Sequence, residues 1–417
     1  MQRLIFMLWL IGAPVQAAPP ALDWPTVLRA ASERQMLTAQ TQADAERSQA
    51  ETQRAQGWLA GAPTVESLYR SDQTLSQQGA GEMQLGIRLP LRRAGQTQAW
   101  VELARQTELD AHSRAQAAQL ALLGQLRTLA WDYRLAQNRL LMAQNRHTQL
   151  QQQLQATERA VRRGETAALD ADLLRVRVLE ATANLATEQA QTDAMRARWH
   201  NMTGLNELPA DLGQTPIPDA LTQLTDANGL IQQQPLLAHL AEQVELARAT
   251  LAATRAEGAG APELGIALKR DRSDRQVPWD NSVQLSFSLP IGGEAYRAPQ
   301  LASLNQQRTA AHISLVQTTQ TLWGDILDLR ARLAAWPNRI ALLEQRAALA
   351  EAVLRKQARA HQLGEIDGTS WLVYERDAAE ARLAASEARL LAARDASQLK
   401  QAYGLMPPSL SQTGTQP

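Results

Sequence analysis

Met83–Pro90, MQLGIRLP, and Val283–Pro290, VQLSFSLP, are the two stretches that decide the fold. They lie 200 residues apart and share four identical positions at the same spacing. In both copies apolar residues alternate with polar ones. Alternation with a period of two is typical of a β-strand with one apolar face and one polar face. The two stretches therefore predict strands in a chain whose other segments have helical patterns.

The strands belong to a unit that occurs twice. Before each recurrent stretch the sequence predicts another strand, so that strands are expected at about 64–71 and 82–91, and again at about 262–270 and 282–290. Gly164-Glu165 and Gly364-Glu365 repeat the same 200-residue offset as tight turns between helices. The predicted repeats are residues 18–203 and 230–403, joined by a proline-containing linker at 204–229. Residues 404–417 are predicted to be a disordered tail.

Long helices fill the rest of each unit. Apolar and small residues recur every seven positions from Leu126 to Val161, which is typical of a coiled-coil seam. Taken as one helix, Arg92–Arg163 would be about 100 Å long at 1.5 Å per residue. The other predicted helices are Asp23–Trp58, Ala168–Met202, Leu230–Glu257, Ala298–His361 with a possible bend at Pro337, and Thr369–Tyr403.

Composition limits the classes of function. The 417 residues carry a net charge of +0, which argues against a nucleic-acid partner. The sequence includes no cysteine, which excludes disulfides, thiolate metal sites and a lipidated N-terminal cysteine. Residues 1–17 have the pattern of a secretory signal peptide, with an uncleaved N-terminal anchor as the alternative. No later run is apolar enough for a transmembrane helix.

No pattern of chemistry stands out. The six histidines lack metal-ligand spacing, and neither a Ser-His-Asp arrangement nor a phosphate loop is present. The sequence therefore predicts no enzyme, no metal site and no cofactor.

Four amphipathic strands cannot close a membrane barrel, and open strand edges are not tolerated in lipid. Either the strands form a small water-soluble sheet packed on helices, or several chains share one barrel. Two chains would supply eight strands, a barrel filled by its own side chains, and three would supply twelve, enough to enclose a channel.

With these motifs, nearly the whole mature chain resembles the TolC-type outer-membrane efflux channels. The segments that carry the resemblance most specifically are 83–91, 283–293, 163–174 and 363–372, with Ala62-Pro63 and Ala261-Pro262 before the first strands. The resemblance implies a mainly α protein with a small membrane β part. In a homotrimer, a twelve-stranded β-barrel in outer-membrane lipid would continue into a periplasmic α-helical barrel. It further implies a passive conduit of a Gram-negative outer membrane, with most of the chain periplasmic. The expected partners are a periplasmic membrane-fusion adaptor and an inner-membrane pump of the RND type.

The same resemblance implies roles for individual residues. Adaptor docking at the periplasmic tips is expected at two turns: Arg163, Gly164, Glu165 and Thr166, and Leu363, Gly364, Glu365 and Ile366. The pore gate is expected to involve Asp170, His361 and Asp367. Here His361 replaces the aromatic hydrogen-bonding residue of the family, and Ser370 replaces a second acidic one. Pro90 and Pro290 mark the strand-to-helix junctions.

Two questions stay open at this stage. The short chain without a lipidation cysteine is similar to members that export heavy-metal cations, so that branch is the hypothesis for the cargo. The alternative class is a periplasmic coiled-coil adaptor or scaffold protein. Adaptors usually carry one helical hairpin between β-rich domains, whereas this sequence predicts two hairpins and no such domains.

Overall fold

A computed structural model describes residues 22–74, 78–212, 217–363, 365–366 and 368–407, apart from the side chains of Ala220, Gln362, Gly368 and Thr369. The predicted signal peptide, the turn residues Gly364 and Asp367, and residues 408–417 lie outside the described part.

The predicted fold class, mainly α with a small β part, is confirmed. In chain order the elements are α1 Trp24–Arg34, α2 Leu37–Gln56, β1 Thr64–Ser71, β2 Gly81–Pro90, α3 Gln96–Arg162, α4 Ala168–Thr203, α5 Asp219–Thr222, a 3₁₀ turn Asn228–Leu230, α6 Pro235–Ala256, β3 Glu263–Arg272, β4 Asp280–Ser288, α7 Glu294–Gln362 and α8 Gly368–Ala402. Within the described ranges, no helix carries an apolar run of the length that a bilayer crossing requires.

The long helices pair as two antiparallel hairpins, α3 with α4 and α7 with α8, and α3 also packs beside α8. The predicted heptad explains this packing, because Ala136, Ala143, Leu150 and Thr157 follow each other at seven-residue intervals and are all buried. Leu150 packs with Leu174 of α4 and with Trp371 and Leu372 of α8 in one buried apolar cluster near the turns. The two hairpins of one chain therefore pack against each other close to their tips.

The single helix predicted for Asp23–Trp58 is wrong. The chain breaks after Arg34, and Met36 adopts a left-handed conformation with φ of 55°. The break lets α1 turn away from α2, so that Val27 and Leu28 pack into a core with Leu123 of α3 and Trp199 of α4.

Several other boundaries also differ from the prediction, among them the starts of α3 at Gln96 and of α7 at Glu294. Helix α6 begins at Pro235 rather than Leu230, because the Gln234 side chain caps it by accepting from the Leu237 amide at 2.9 Å. Strand β4 ends at Ser288, so Pro290 lies beyond it. The start of the predicted disordered tail is ordered, since the Leu405 carbonyl accepts a hydrogen bond from Arg127 at 3.0 Å. Helix α7 is continuous through Pro337.

Candidate membrane sheet and helical tips

The four strands form one antiparallel sheet in the order β1-β2-β3-β4. The central pair, β2 with β3, joins the two repeats, and the register sets Val65, Ile87, Ile266 and Leu285 in one row across all four strands. In the described chain, β1 and β4 are the edge strands, each with one neighbour. The long helices leave from one end of the sheet, and the two strand-connecting loops lie at the other.

One face of the sheet is apolar and uncovered. The four side chains of the central row are between 50% and 72% exposed. The same face also carries exposed apolar or aromatic side chains in neighbouring rows: Tyr69, Met83, Leu85, Leu268, Val283 and Phe287. An exposed apolar surface of this extent marks a site that contacts a membrane or another protein. Among the described residues no helix covers this face, so the alternative of a sheet packed on helices is wrong for the isolated chain.

The opposite face is polar and crossed by ion pairs. Arg88 pairs with Glu66 of β1 and Glu263 of β3. Lys269 lies 3.3 Å from a carboxylate oxygen of Glu82. The Arg88 pairs are exposed and add little stability individually, whereas Lys269 and Glu82 are half-buried. They link neighbouring strands on a face that suits contact with water.

Arg92 fixes the first junction between strand and helix. Its guanidinium donates to three backbone carbonyls, those of Arg54 at 2.6 Å, Ala55 at 2.8 Å and Leu59 at 3.1 Å. The first two belong to the last turn of α2, whose carbonyls have no partner within the helix. The guanidinium also lies 4.9 Å from the ring centroid of Trp100. Arg92 therefore joins the end of α2 to the start of α3.

Arg93 fixes the second junction from the other repeat. Its guanidinium donates to the carbonyls of Gly260 at 2.7 Å and Pro290 at 2.6 Å. The carbonyl of Pro90, the other junction proline, accepts from the Ala60 amide at 2.9 Å. Both predicted junction prolines thus lie where the sheet meets the helices. Neither Arg92 nor Arg93 was identified from the sequence, although both lie within three residues of the recurrent stretch.

The first predicted tip is a tight turn between α3 and α4. Gly164 has a φ of 75°, and the Glu165 amide donates to the Ala160 carbonyl at 3.0 Å. This is the hydrogen-bond pattern of a Schellman helix end. Arg163 and Glu165 form an exposed two-bond pair with N to O distances of 2.8 and 2.7 Å, and this bond lowers the pKa of Glu165. Thr166 completes the turn.

The second tip, between α7 and α8, has the same backbone design. The Glu365 amide donates to the Ala360 carbonyl at 3.0 Å. Leu363 is 66% exposed, whereas Ile366 packs against the cluster of Leu150 and Trp371. Gly364, predicted as an adaptor-docking residue, lies outside the described part. Among the described residues, the first tip is therefore charged, and the second tip is more apolar than the first.

The predicted gate residues lie near these turns. His361, in the last turn of α7, places its Nδ1 3.2 Å from the Ile366 carbonyl and its ring 6.3 Å from that of Trp371. Asp170 lies in the first turn of α4. Among the described residues no hydrogen bond joins His361 to Asp170, and Asp367 is not described. In the structure His361 therefore contacts Ile366 of its own turn, and its role in a gate stays a prediction.

The described residues include no group of three or more His, Asp or Glu side chains that could hold a metal ion.

Comparisons with known proteins agree on the fold. No protein-family model matches the chain, and no curated protein matches its sequence. The chain is similar in structure to the outer membrane protein VceC from Vibrio cholerae, with a TM-score of 0.73 and 15% identity over 91% of this chain and 95% of that one. The chain is also similar to the solved structure of CusC, which is described in terms of folding and transmembrane channel formation. The TM-score is 0.72, and the sequence identity is 15% over 91% of each chain. For the open state of the MtrE outer membrane channel from Neisseria gonorrhoeae, the TM-score is 0.65 and the sequence identity is 16%, over 91% of this chain and 88% of that one.

Proposed function

We propose that this chain, which has the fold of TolC-type outer-membrane channels, is one protomer of a homotrimeric efflux conduit. It would reside in the outer membrane of a Gram-negative bacterium, with its helices in the periplasm. The observation that carries the proposal is the four-stranded sheet with a bare apolar face and two edge strands, continuing into long helical hairpins.

The sheet supports a shared barrel. A bilayer accepts strands only when every backbone group is paired, so β4 of one copy must pair with β1 of the next. Three copies give twelve strands, with the apolar face toward lipid and the polar face toward a water-filled lumen. The ten residues of β2 are about 33 Å long, which at a tilt of 40° spans the roughly 25 Å apolar band of such barrels.

The helices also support contact between copies. Leu169, Val176 and Leu179 on α4 are at least half exposed, and so are Leu342 and Leu349 on α7. Leu169 and Val176 are seven positions apart, and so are Leu342 and Leu349, as expected for a coiled-coil seam. Since α3 and α8 pack together within the chain, we expect α4 of one protomer to cover α7 of its neighbour.

The remaining roles follow from this assembly. We propose that the two tips dock a periplasmic adaptor, which couples the conduit to an inner-membrane pump of the RND type, and that energy comes from that pump. In this proposal the chain is not an enzyme. A heavy-metal cation cargo remains a hypothesis, tested by whether deletion sensitises cells to such cations.

The alternative, a periplasmic adaptor or coiled-coil scaffold, is distinguished by one fractionation. The conduit predicts recovery in the outer-membrane fraction as a trimer whose gel mobility changes on heating, with ion conductance in planar bilayers. Recovery as a soluble periplasmic monomer would exclude the conduit.

A further inference from the structure

Two arginines interrupt the apolar face at its end farthest from the helices. Arg270 and Arg272 follow Ile266 and Leu268 at alternate positions of β3, so they lie on the same face of the sheet. The register sets Arg270 opposite Met83, which in turn faces Tyr69 of β1. We call this end of the apolar face, formed by Tyr69, Met83, Arg270, Arg272 and Trp279, the distal rim.

Trp279 holds the two arginines together. Its ring centroid lies 5.3 Å from the guanidinium carbon of Arg270 and 4.6 Å from that of Arg272. The ring also lies directly over Gly81, where an added Cβ would be 2.8 Å from the ring edge. Gly81 pairs with Arg272 across the sheet. The indole is therefore fixed on the apolar face between two cations.

The positive charges of the distal rim have no carboxylate partner among the described residues. The Nε of Arg272 is buried and has no hydrogen-bond acceptor there. Asp271 lies on the opposite face, 3.7 Å from Lys269. The Asp274 carboxylate accepts the Gln276 amide within its own loop. Two guanidinium groups thus lie beside an apolar surface with their hydrogen-bonding capacity largely unused.

This arrangement fits a phosphorylated lipid. Guanidinium groups bind phosphate through two parallel hydrogen bonds, and an adjacent apolar surface accommodates acyl chains. Tryptophan and tyrosine favour the level of the headgroups. We propose that Arg270 and Arg272, held by Trp279, bind the phosphate groups of an anionic outer-leaflet lipid of the lipid A type. This inference rests on the proposed function, because it requires the apolar face to lie in the outer membrane with the loops outward.

The test measures lipid binding to the purified trimer in detergent by native mass spectrometry. Lipid A is titrated against its dephosphorylated form. We expect the natural protein to prefer lipid A by about tenfold or more, since charge-assisted contacts of this kind exceed the 1.4 kcal/mol that corresponds to a factor of ten. The double variant Arg270→Gln with Arg272→Gln should lose that preference. The matched control is Arg70→Gln, which lies on the polar face of β1 and pairs with Glu82.

Three outcomes would overturn the inference. One is an unchanged preference in the double variant, another is an equal loss in the control, and the third is full displacement of lipid A by an equal concentration of inorganic phosphate. The Arg270→Lys with Arg272→Lys variant keeps the charge and should retain part of the preference, which separates lipid recognition from a folding defect. A natural protein that forms no conducting trimer would defeat the proposed function itself, whereas a conducting trimer with no preference for lipid A would defeat only this inference.

Discussion

At the scale of single residues, long arginine side chains hold the ends of the short helices. Arg92 donates to the Arg54 carbonyl at the end of α2, and Arg297 donates to the Thr254 carbonyl at the end of α6. Arg54 and Thr254 are 200 positions apart, so the two acceptors are equivalent in the repeats. The donors are not equivalent, because the position 200 residues after Arg92 is Gly292 rather than an arginine. The two repeats thus satisfy the same backbone requirement with arginines from different positions.

Replacing Arg92 tests this role. Arg92→Lys keeps the charge but cannot reach three carbonyls in different directions, and we expect a loss of about 1.5–3 kcal/mol in the free energy of unfolding. Denaturant unfolding followed by circular dichroism measures it. Arg308→Lys, at an exposed position of α7, is the control and should change stability by less than about 0.5 kcal/mol. Equal stability of the two variants would contradict the role of Arg92.

His239 is a second residue with a measurable consequence. It lies between α6 and α3, with Ser113 Oγ 3.1 Å from its Nδ1 and Gln243 Nε2 3.0 Å from its Nε2. Burial lowers the pKa of His239, and Arg114 adds to the lowering, although the nearby Asp110 and Asp44 act in the opposite direction. The folded protein therefore binds a proton at His239 less readily than the unfolded chain does.

The pH dependence follows from that difference. The contribution of His239 to stability is complete above the unfolded pKa of about 6.5 and is lost as the pH falls from there toward the lower folded pKa. We expect His239→Gln to reduce the loss of stability between pH 7.5 and 5.5, measured by denaturant unfolding. His112→Gln, at an exposed position of α3, should leave the slope unchanged. A His239→Gln profile identical to that of the natural protein would refute the assignment.

At the scale of elements, alternation in the sequence placed the four strands closely, because one face must be apolar and the other polar along their whole length. The break at Met36 could not be predicted, since neither glycine nor proline marks it. The turns were visible as glycines, whereas the arginine contacts were not. The acceptors of Arg93 lie 167 and 197 residues away in the chain, beyond any local pattern.

The two faces of β4 allow a direct comparison of neighbouring residues. Leu285→Lys places a charge in the central row of the apolar face and should cost about 2–4 kcal/mol of stability in a bilayer. Gln284→Lys changes the adjacent residue on the polar face and should be tolerated. Assembly into heat-modifiable trimers in outer membranes measures both variants. Equal assembly of the two would show that the apolar face does not contact lipid.

The first tip isolates backbone conformation from packing. At Gly164 no atom lies within 4 Å of an added Cβ, so Gly164→Ala changes only the energy of a positive φ, by about 1–2 kcal/mol. Gly95 has a φ of 79° and equally open surroundings, which makes Gly95→Ala the matched control. Both variants should lose similar stability, but only Gly164→Ala should weaken adaptor binding and efflux. Equal efflux by both would remove the docking role from this turn.

At the scale of the whole molecule, the inferred pore depends on contacts between protomers. Asp170 and His361 lie on different hairpins, and His361 already donates to the carbonyl of Ile366 in its own turn. We expect Asp170→Ala with His361→Ala to loosen the closed tips and to raise the resting conductance of single channels in planar bilayers. The Arg308→Ala variant, distant in sequence from the tips, should conduct as the natural protein does. Unchanged conductance in the double variant would place the gate elsewhere.

The pairing of β2 with β3 has a consequence for the order of folding. Arg88 and Glu263, which meet across this pair, are 175 residues apart in the chain. Each helical hairpin can form from local contacts, whereas this strand pair must close a very long loop, and such distant pairings form slowly. A newly made chain will therefore complete its sheet only after the second repeat is available. Until then the apolar strands of the first repeat need a chaperone or a membrane surface to keep them from aggregating.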